Sequence, residues 1–293
     1  MKLEYLTYEE LAAVDFGKCH LIMPVGPYEQ HGPHLPITTD IFIARYLAES
    51  LCETMKTEKT PWNGIEAPAF TYAPALISDG IGITPQLEAG SFTAFLSETL
   101  MQYCEVGFKS IVIIIHHFEL KFIKCVINAI AACESKYPGV KIIEPLSAYY
   151  YSGEYNLAIE KYINSKKNSQ ERQDDIFKSY LDIDFKKEIH ADIKETSLMM
   201  YLLPRVVKNE ILEGLPPVLV NPAAEFLKLN FTFKNMGAAS GYLGSPARAS
   251  IFLGELIFKQ LRGCLVDSLT SLNGGTPERY SVPLFIKAIL TVI

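Results

Sequence analysis

Six consecutive residues, Ser110 to Ile115 (SIVIII), carry no charge and five branched aliphatic side chains in a row. A half-exposed strand would alternate polar and apolar residues. An unbroken β-branched run suits a strand buried on both faces, as in a parallel sheet covered by helices. The neighbouring segments share that rhythm. CHLIMPVG (19–26) reads as a second buried strand, IEAPAFTYA (65–73) as a third and VKIIEPL (140–146) as a fourth. Between them lie helical patterns. Ala44, Leu47, Ala48, Leu51 and Met55 share one face of a helix that Asp40 is placed to cap, and Ser91 is placed to cap a helix bearing Phe92, Phe95, Leu96 and Leu100. A further helix follows SIVIII through Ala131, and another is expected from about Ala247 to Leu269. This βαβαβ order predicts an α/β fold with a mainly parallel central sheet and helices on both faces. Such sheets bind ligands at the carboxyl ends of their strands.

The chain reads as a single domain over 1–293, with one interruption at about 151–187. That stretch, which includes EKYINSKKNSQERQDD, is rich in mixed charge and amides and reads as a solvated helical insertion. A net charge of −6 argues against a nucleic-acid surface, which needs clustered Lys and Arg. The apolar runs are too short to span a bilayer, and the amphipathic, acid-bearing N-terminus lacks the layout of a secretory signal. Six scattered cysteines without a CxxC pair read as reduced, largely buried thiols in a cytoplasmic protein. The apolar tail SVPLFIKAILTVI is expected to dock on the chain's own core or on a neighbouring subunit.

Two short segments fall at the carboxyl ends of the first and central strands. EQHGPHLPITTD (29–40) follows the first, and HHFE (116–119) follows SIVIII. Glu29 and His31 are spaced i,i+2, as are His117 and Glu119 in reverse order, so each pair can point to one side. Asp40 adds a third carboxylate. Together these are five nitrogen and oxygen donors suited to zinc, manganese or similar divalent ions. With two ions one carboxylate would bridge, and a bridging water would be acidified to a hydroxide nucleophile. Each residue also has a plainer role: Asp40 as a helix cap, Glu119 as a first-turn acid, either histidine as a strand-end hydrogen-bonding group. His34 reads as part of a Pro-rich turn and His20 as structural. The joint pattern favours metal, since five of the six histidines fall in three short segments.

PVGPYEQHGPHLPITTD closely resembles the signature of the creatininase family, P-x-G-x-x-E-Q-H-G-P-H-L-P-x-x-x-D. HHFE is similar to its His-x-Glu after the third strand. HADIKETSLMM (190–200) is similar to its H-A-G-x-x-E-T-S segment, and GYLGSPARAS to its G-x-x-G-x-P-x-x-A segment, in the family's order. The resemblance implies a three-layer α/β/α sandwich, usually hexameric, with a two-metal hydrolase site. It would place Glu29, Asp40 and His117 on one ion and His31, Asp40 and Glu119 on the other, with Asp40 bridging. His190 would be the catalytic histidine that holds substrate and passes a proton to the leaving nitrogen. Glu195 matches an acid at the site that helps hold metal in members without His-x-Glu. The implied activity is hydrolysis of a non-peptide C–N bond in a small or cyclic amide. Relatives acting on formamides, peptides or keto-inositols, and a non-catalytic metal-binding or scaffold relative, are the alternatives.

The departures from that pattern are specific. Ile115 and His116 stand where most members have Asn-Gly, Leu120 stands where Asn is usual, and Asp192 replaces a Gly. His116 makes the identity of the metal-binding histidine a question, which the spacing to Glu119 answers in favour of His117. Asp192 is expected to narrow or acidify the substrate pocket. The family's namesake uses tryptophans near its catalytic histidine, and the single tryptophan here is Trp62, which points away from creatinine.

Overall fold

The computed structural model describes residues 1–57, 63–228, 230–274 and 283–292; Trp62 lies outside them. Among the described residues, four strands form one all-parallel sheet in the order β2-β1-β3-β4: β1 (Cys19–Pro24), β2 (Asn63–Glu66), β3 (Ser110–Ile114) and β4 (Lys141–Ile143). The two unbroken apolar runs take the two central places, and every residue of β1 and β3 is buried. Their register sets Ile22 opposite Val112 and Pro24 opposite Ile114. The edge strands are shorter than the apolar runs suggest. Pairing of β2 stops after Ala67 N–H donates to the Ile22 carbonyl, because the next donor position on β1 is Pro24, which has no N–H, and it resumes only as a single bridge between Val25 and Phe70. β4 stops at Ile143, where the half-buried Glu144 carboxylate accepts from the amides of Leu146 and Ser147 and turns the chain into a helix.

The helices are, in order, α1 (Tyr8–Ala12), α2 (Thr39–Thr57), α3 (Ala89–Val106), α4 (Leu120–Lys136), α5 (Leu146–Tyr151), α6 (Glu154–Ser165), α7 (Asp175–Lys178), α8 (Ile193–Leu202), α9 (Asn209–Leu212), α10 (Pro222–Leu227), α11 (Ile251–Gly274) and α12 (Leu284–Val292). α2, α8 and α11 pack together on one side, with α2 against β1 and β2; α3 and α4 pack together on the other. The result is the expected three-layer α/β/α sandwich. Two helix starts differ from the sequence reading. α2 begins before Asp40, which lies in its first turn and does not cap it, and α3 begins at Ala89, leaving Ser91 inside the helix.

The charged 151–187 stretch is only superficially a surface segment. Its apolar residues Tyr155, Ile159, Ile163, Phe177 and Phe185 are buried in the main core, while its charges, apart from the buried Asp174, lie at or near the surface. Part of the C-terminal tail is also docked: Ile286 and Leu290 of α12 join that core, and α12 packs on α4. Among the described residues no helix is long and apolar enough to cross a membrane.

The topology also locates the site. From β1 the chain passes outward to β2 and then returns to the other side of β1 for β3. The segments leaving β1 and β3 therefore diverge, α2 going to one face and α4 to the other. A crevice forms between them at the carboxyl edge, the switch point where open α/β sheets bind ligands. Both sequence segments singled out for chemistry start there.

The helix layer behind that crevice is closely packed. Gly254 of α11 lies so near α8 that a Cβ on it would sit 1.9 Å from the Ser197 carbonyl oxygen. Gly254→Val should therefore force α8 and α11 apart and lower stability by about 1–3 kcal/mol or more, as overpacking does. Urea denaturation of the two proteins would measure it.

Candidate metal and active site

The loop after β1 is held in shape by its own backbone. Glu29 N–H donates to the Ile37 carbonyl at 2.9 Å, and His31 pairs across the loop with Leu35. His31 Nδ1–H donates to the Glu29 carbonyl at 2.9 Å, which fixes the tautomer and leaves Nε2 facing inward. There Nε2 lies 3.4 Å from Asp40 Oδ1 and 3.7 Å from Glu195 Oε2. The other Asp40 oxygen, Oδ2, lies 3.3 Å from His117 Nδ1, which is also 3.0 Å from Glu29 Oε2. Asp40 thus stands between two imidazoles, one on each oxygen. Glu29 is held from behind, its Oε1 accepting from the Ser78 hydroxyl at 2.5 Å.

The third and fourth segments meet as a backbone pair. His190 and Leu243 form an antiparallel bridge, with Leu243 N–H donating to the His190 carbonyl at 2.8 Å. His190 Nε2–H donates to the Gln30 carbonyl at 2.8 Å, leaving Nδ1 to face the site, 3.9 Å from Glu29 Oε2. Gly241 permits this approach: it has φ +74°, and a Cβ there would be 1.9 Å from Gln30 Oε1. After His190 the chain turns sharply through Ala191, whose φ of 45° is a left-handed conformation unusual for a residue other than glycine. Ala191 N–H donates to Glu195 Oε2 at 2.5 Å, so the turn and the acid hold one another.

Asp192, expected to shape the substrate pocket, has a different task. Its Oδ1 accepts from the amides of Lys194 and Glu195 at 2.7 and 2.9 Å, capping α8. Lys194, buried beside it, lies 3.4 Å from Asp192 Oδ2, donates to the Glu188 carbonyl at 2.7 Å and rests over the rings of Tyr150 and Tyr155. This cationic support behind Glu195 had no sequence signal, because Lys194 sits mid-motif among residues the motif does not specify.

Among the described residues, three groups of donor side chains have ligand atoms close enough to share a metal ion: Glu29, Asp40 and His117; His31, Asp40 and Glu195; and Glu29, His31 and His190. The structure therefore brings Glu29, His31, Asp40, His117, His190 and Glu195 together. Glu119 joins none of these groups. Its Oε2 accepts from Ile77 N–H at 3.1 Å and lies 3.8 Å from His117 Nε2, so it addresses the opposite nitrogen of the ring whose Nδ1 faces Glu29 and Asp40. His34 supports the loop through a 2.9 Å contact with Thr196 Oγ1, and His20 lies 2.5 Å from Ser110 Oγ at the far end of the sheet. Sequence reasoning passed over Ser78, Gln30 and Lys194.

Electrostatics shows what the cluster demands. Burial would lower the His31 imidazole, but Asp40, Glu195 and Glu29 outweigh it and raise its pKa to about 10. His117 is likewise raised well above its usual range by Glu29 and Asp40 against the effect of burial. Burial raises Glu195 to about 8, opposed by His31. His190 goes the other way, down to about 4, because burial outweighs the pull of Glu29. A field that holds protons on two buried imidazoles will also hold a divalent cation. Among the described residues the buried His31 Nε2 and Asp40 Oδ2 have no hydrogen-bond partner, an arrangement that costs about 1–3 kcal/mol per atom unless a ligand satisfies it. The donor set fits a divalent metal.

Comparison with known proteins agrees with that class. The family model for creatininase, described as creatinine amidohydrolase, matches residues 4–269. A curated creatinine amidohydrolase of Pseudomonas putida is 24% identical over 268 residues, covering 90% of this chain and 94% of that protein. A manganese creatininase structure superposes with a TM-score of 0.66 at 22% identity, covering 92% of this chain and 96% of that one. A mutant creatininase of Zn-Zn type gives 0.67 at 20% identity, with the same coverage. The fold and the donor cluster define a metal-binding α/β/α hydrolase. The chain belongs to the creatininase family, as a creatininase-like amidohydrolase.

Lys194 offers a direct test of the support behind the site. Lys194→Met leaves the buried Asp192 carboxylate without its cation and should lower stability by about 3–5 kcal/mol, the usual effect of breaking a buried ion pair. Adding Asp192→Asn should recover part of that loss, and a double-mutant cycle in denaturant would give the coupling.

Proposed function

We propose that this chain hydrolyses a non-peptide C–N bond in a small or cyclic amide, using two divalent metal ions per subunit, zinc, manganese or one of each. The observation that carries the reading is the buried Asp40 carboxylate, whose two oxygens face His31 and His117 separately. That is the disposition a bridging ligand requires. Glu29, Asp40 and His117 would hold one ion. His31 and Asp40 would hold the other, with Glu195 completing the set in this arrangement; the family pattern puts Glu119 in that role, and Glu119 here backs His117 instead. When bound, the metals supply charge that polarises the substrate carbonyl and acidifies a water.

The chain's own residues do the rest. His190 is held by its Nε2–H bond to the Gln30 carbonyl, so Nδ1 is the nitrogen available to substrate. With its pKa near 4 it rests neutral, able to take a proton and pass it to the leaving nitrogen as the C–N bond breaks. The crevice walls exclude water, since Glu29, His31, Asp40 and His190 are all buried. Recognition of creatinine by tryptophans is unavailable in a chain with one tryptophan, so other cyclic amides are the better candidates. By family resemblance the subunits assemble as a homo-oligomer, a hexamer.

Metal analysis of protein purified from metal-replete cells should find about two divalent ions per chain, and Asp40→Ala should lose both together with hydrolysis. Glu29→Gln should chiefly weaken one. Cyclic amides, formamides and lactones screened with the metal-loaded protein would identify the substrate class. A protein that takes up no divalent metal would overturn the proposal, and uptake without hydrolysis of any of them would favour a non-catalytic relative.

A further inference from the structure

His116 occupies the position where the family pattern has glycine, and nothing above gives it a task. It is buried, and among the described residues neither ring nitrogen has a hydrogen-bond partner. Its Nδ1 nonetheless points at two carboxylates, 3.6 Å from Glu195 Oε1 and 4.0 Å from Asp40 Oδ1. Those separations are too long for hydrogen bonds. Singly they are near the roughly 3.4 Å that bonds of about 2.0–2.2 Å set between tetrahedral ligands, and because His116 is in none of the three groups above, a small turn of its ring or of the Glu195 carboxylate is needed for it to share their ion. The orientation of the ring is supported by its packing. Phe118 lies edge-on to it at 5.4 Å and is itself stacked on Tyr150, whose ring also carries Lys194.

We infer that His116 is an additional metal ligand, joining Asp40 and Glu195 on the ion that His31 also holds. The inference rests on the metal-site reading above. It has a consequence for selectivity. With His116 that ion meets two imidazoles and two carboxylates, whereas a glycine at 116 leaves one imidazole. Imidazole favours zinc, and carboxylate and water favour manganese. This site should therefore prefer zinc more strongly than a site with glycine at the same place. It also answers which of the adjacent histidines is used: each faces metal donors, His117 toward Glu29 and His116 toward Glu195, and Asp40 faces both.

The test is metal binding, read without activity. Wild-type chain, His116→Gly and His116→Gln would be stripped of metal and titrated with zinc and with manganese against a chromophoric chelator. Cobalt absorption spectra would report the ligand field. Both variants should lose at least about tenfold in zinc affinity at one site and leave the other unchanged, because removing even an outer-shell partner has that effect. The lost site should also discriminate less between zinc and manganese, and the cobalt band should shift. Thermal melting of the metal-free proteins checks folding, and His116→Gln, which preserves most of the side-chain volume, stands in if the glycine variant is unfolded. Unchanged affinities and an unchanged cobalt spectrum would overturn the inference while the two-metal reading stands. Equal weakening at both sites would also overturn it, by marking a purely structural role. A wild-type chain that binds neither metal would overturn the inference and the reading together.

Discussion

The parallel pairing of β1 with β3 is the constraint from which the site follows. Both strands are buried along their length, so neither can slip in register or move to an edge without exposing a row of aliphatic side chains. Their partners lie on opposite sides, β2 beyond β1 and β4 beyond β3, and the chain reverses its direction of travel across the sheet between them. The segments leaving their carboxyl ends must therefore part, one beginning α2 and the other α4. Asp40 enters from the first turn of α2, His116 and His117 from the end of β3. They meet because adjacent strands end together.

The remaining donors are delivered by a longer route and need more support. His190 and Glu195 lie far along the chain from β1, and three features bring them back: the bridge to Leu243, the bond from His190 to the Gln30 carbonyl, and the strained turn at Ala191 that places Glu195 one helical turn later. Behind that turn, Asp192 caps α8 and Lys194 neutralises it within an aromatic wall. In front of it, three carboxylates and several imidazoles crowd together out of water, a grouping that is unfavourable unless protons or a metal balance it. The rigidity of the rear and the unmet charge of the front are complementary. A site that concentrates negative charge has to be held together by something other than its own side chains.

Much of this was legible in the sequence. SIVIII and CHLIMPVG marked the two central strands because burial on both faces leaves no polar alternation, and EQHGPHLPITTD held a density of acids and histidines that turn formation does not call for. Local readings did worse at element ends. Asp40 looked like a helix cap because it precedes an amphipathic stretch, yet the helix begins at Thr39 and the carboxylate, inside its first turn, is turned to His31 and His117. Ser91 looked like a cap for the same reason. IEAPAFTYA looked like a long strand, but the ladder breaks where Pro24 of β1 has no N–H to donate. Asp192 looked like a pocket residue when considered by position alone, and its hydrogen bonds show a cap instead.

By itself the sequence determined the layers, the two central strands and the list of residues that can bind a cation, because hydrophobic periodicity and side-chain chemistry are local properties. Only the tertiary structure decided which of those residues lie together. Glu119 and Glu195 are both acids in plausible motifs, but one addresses the outer nitrogen of His117 and the other faces His31. His116 and His117 are neighbours in sequence, but their Nδ1 atoms face different carboxylates around Asp40. Such choices depend on the direction of a side chain at a strand end and on what a distant helix brings within a few ångströms of it. Neither is encoded by spacing along the chain.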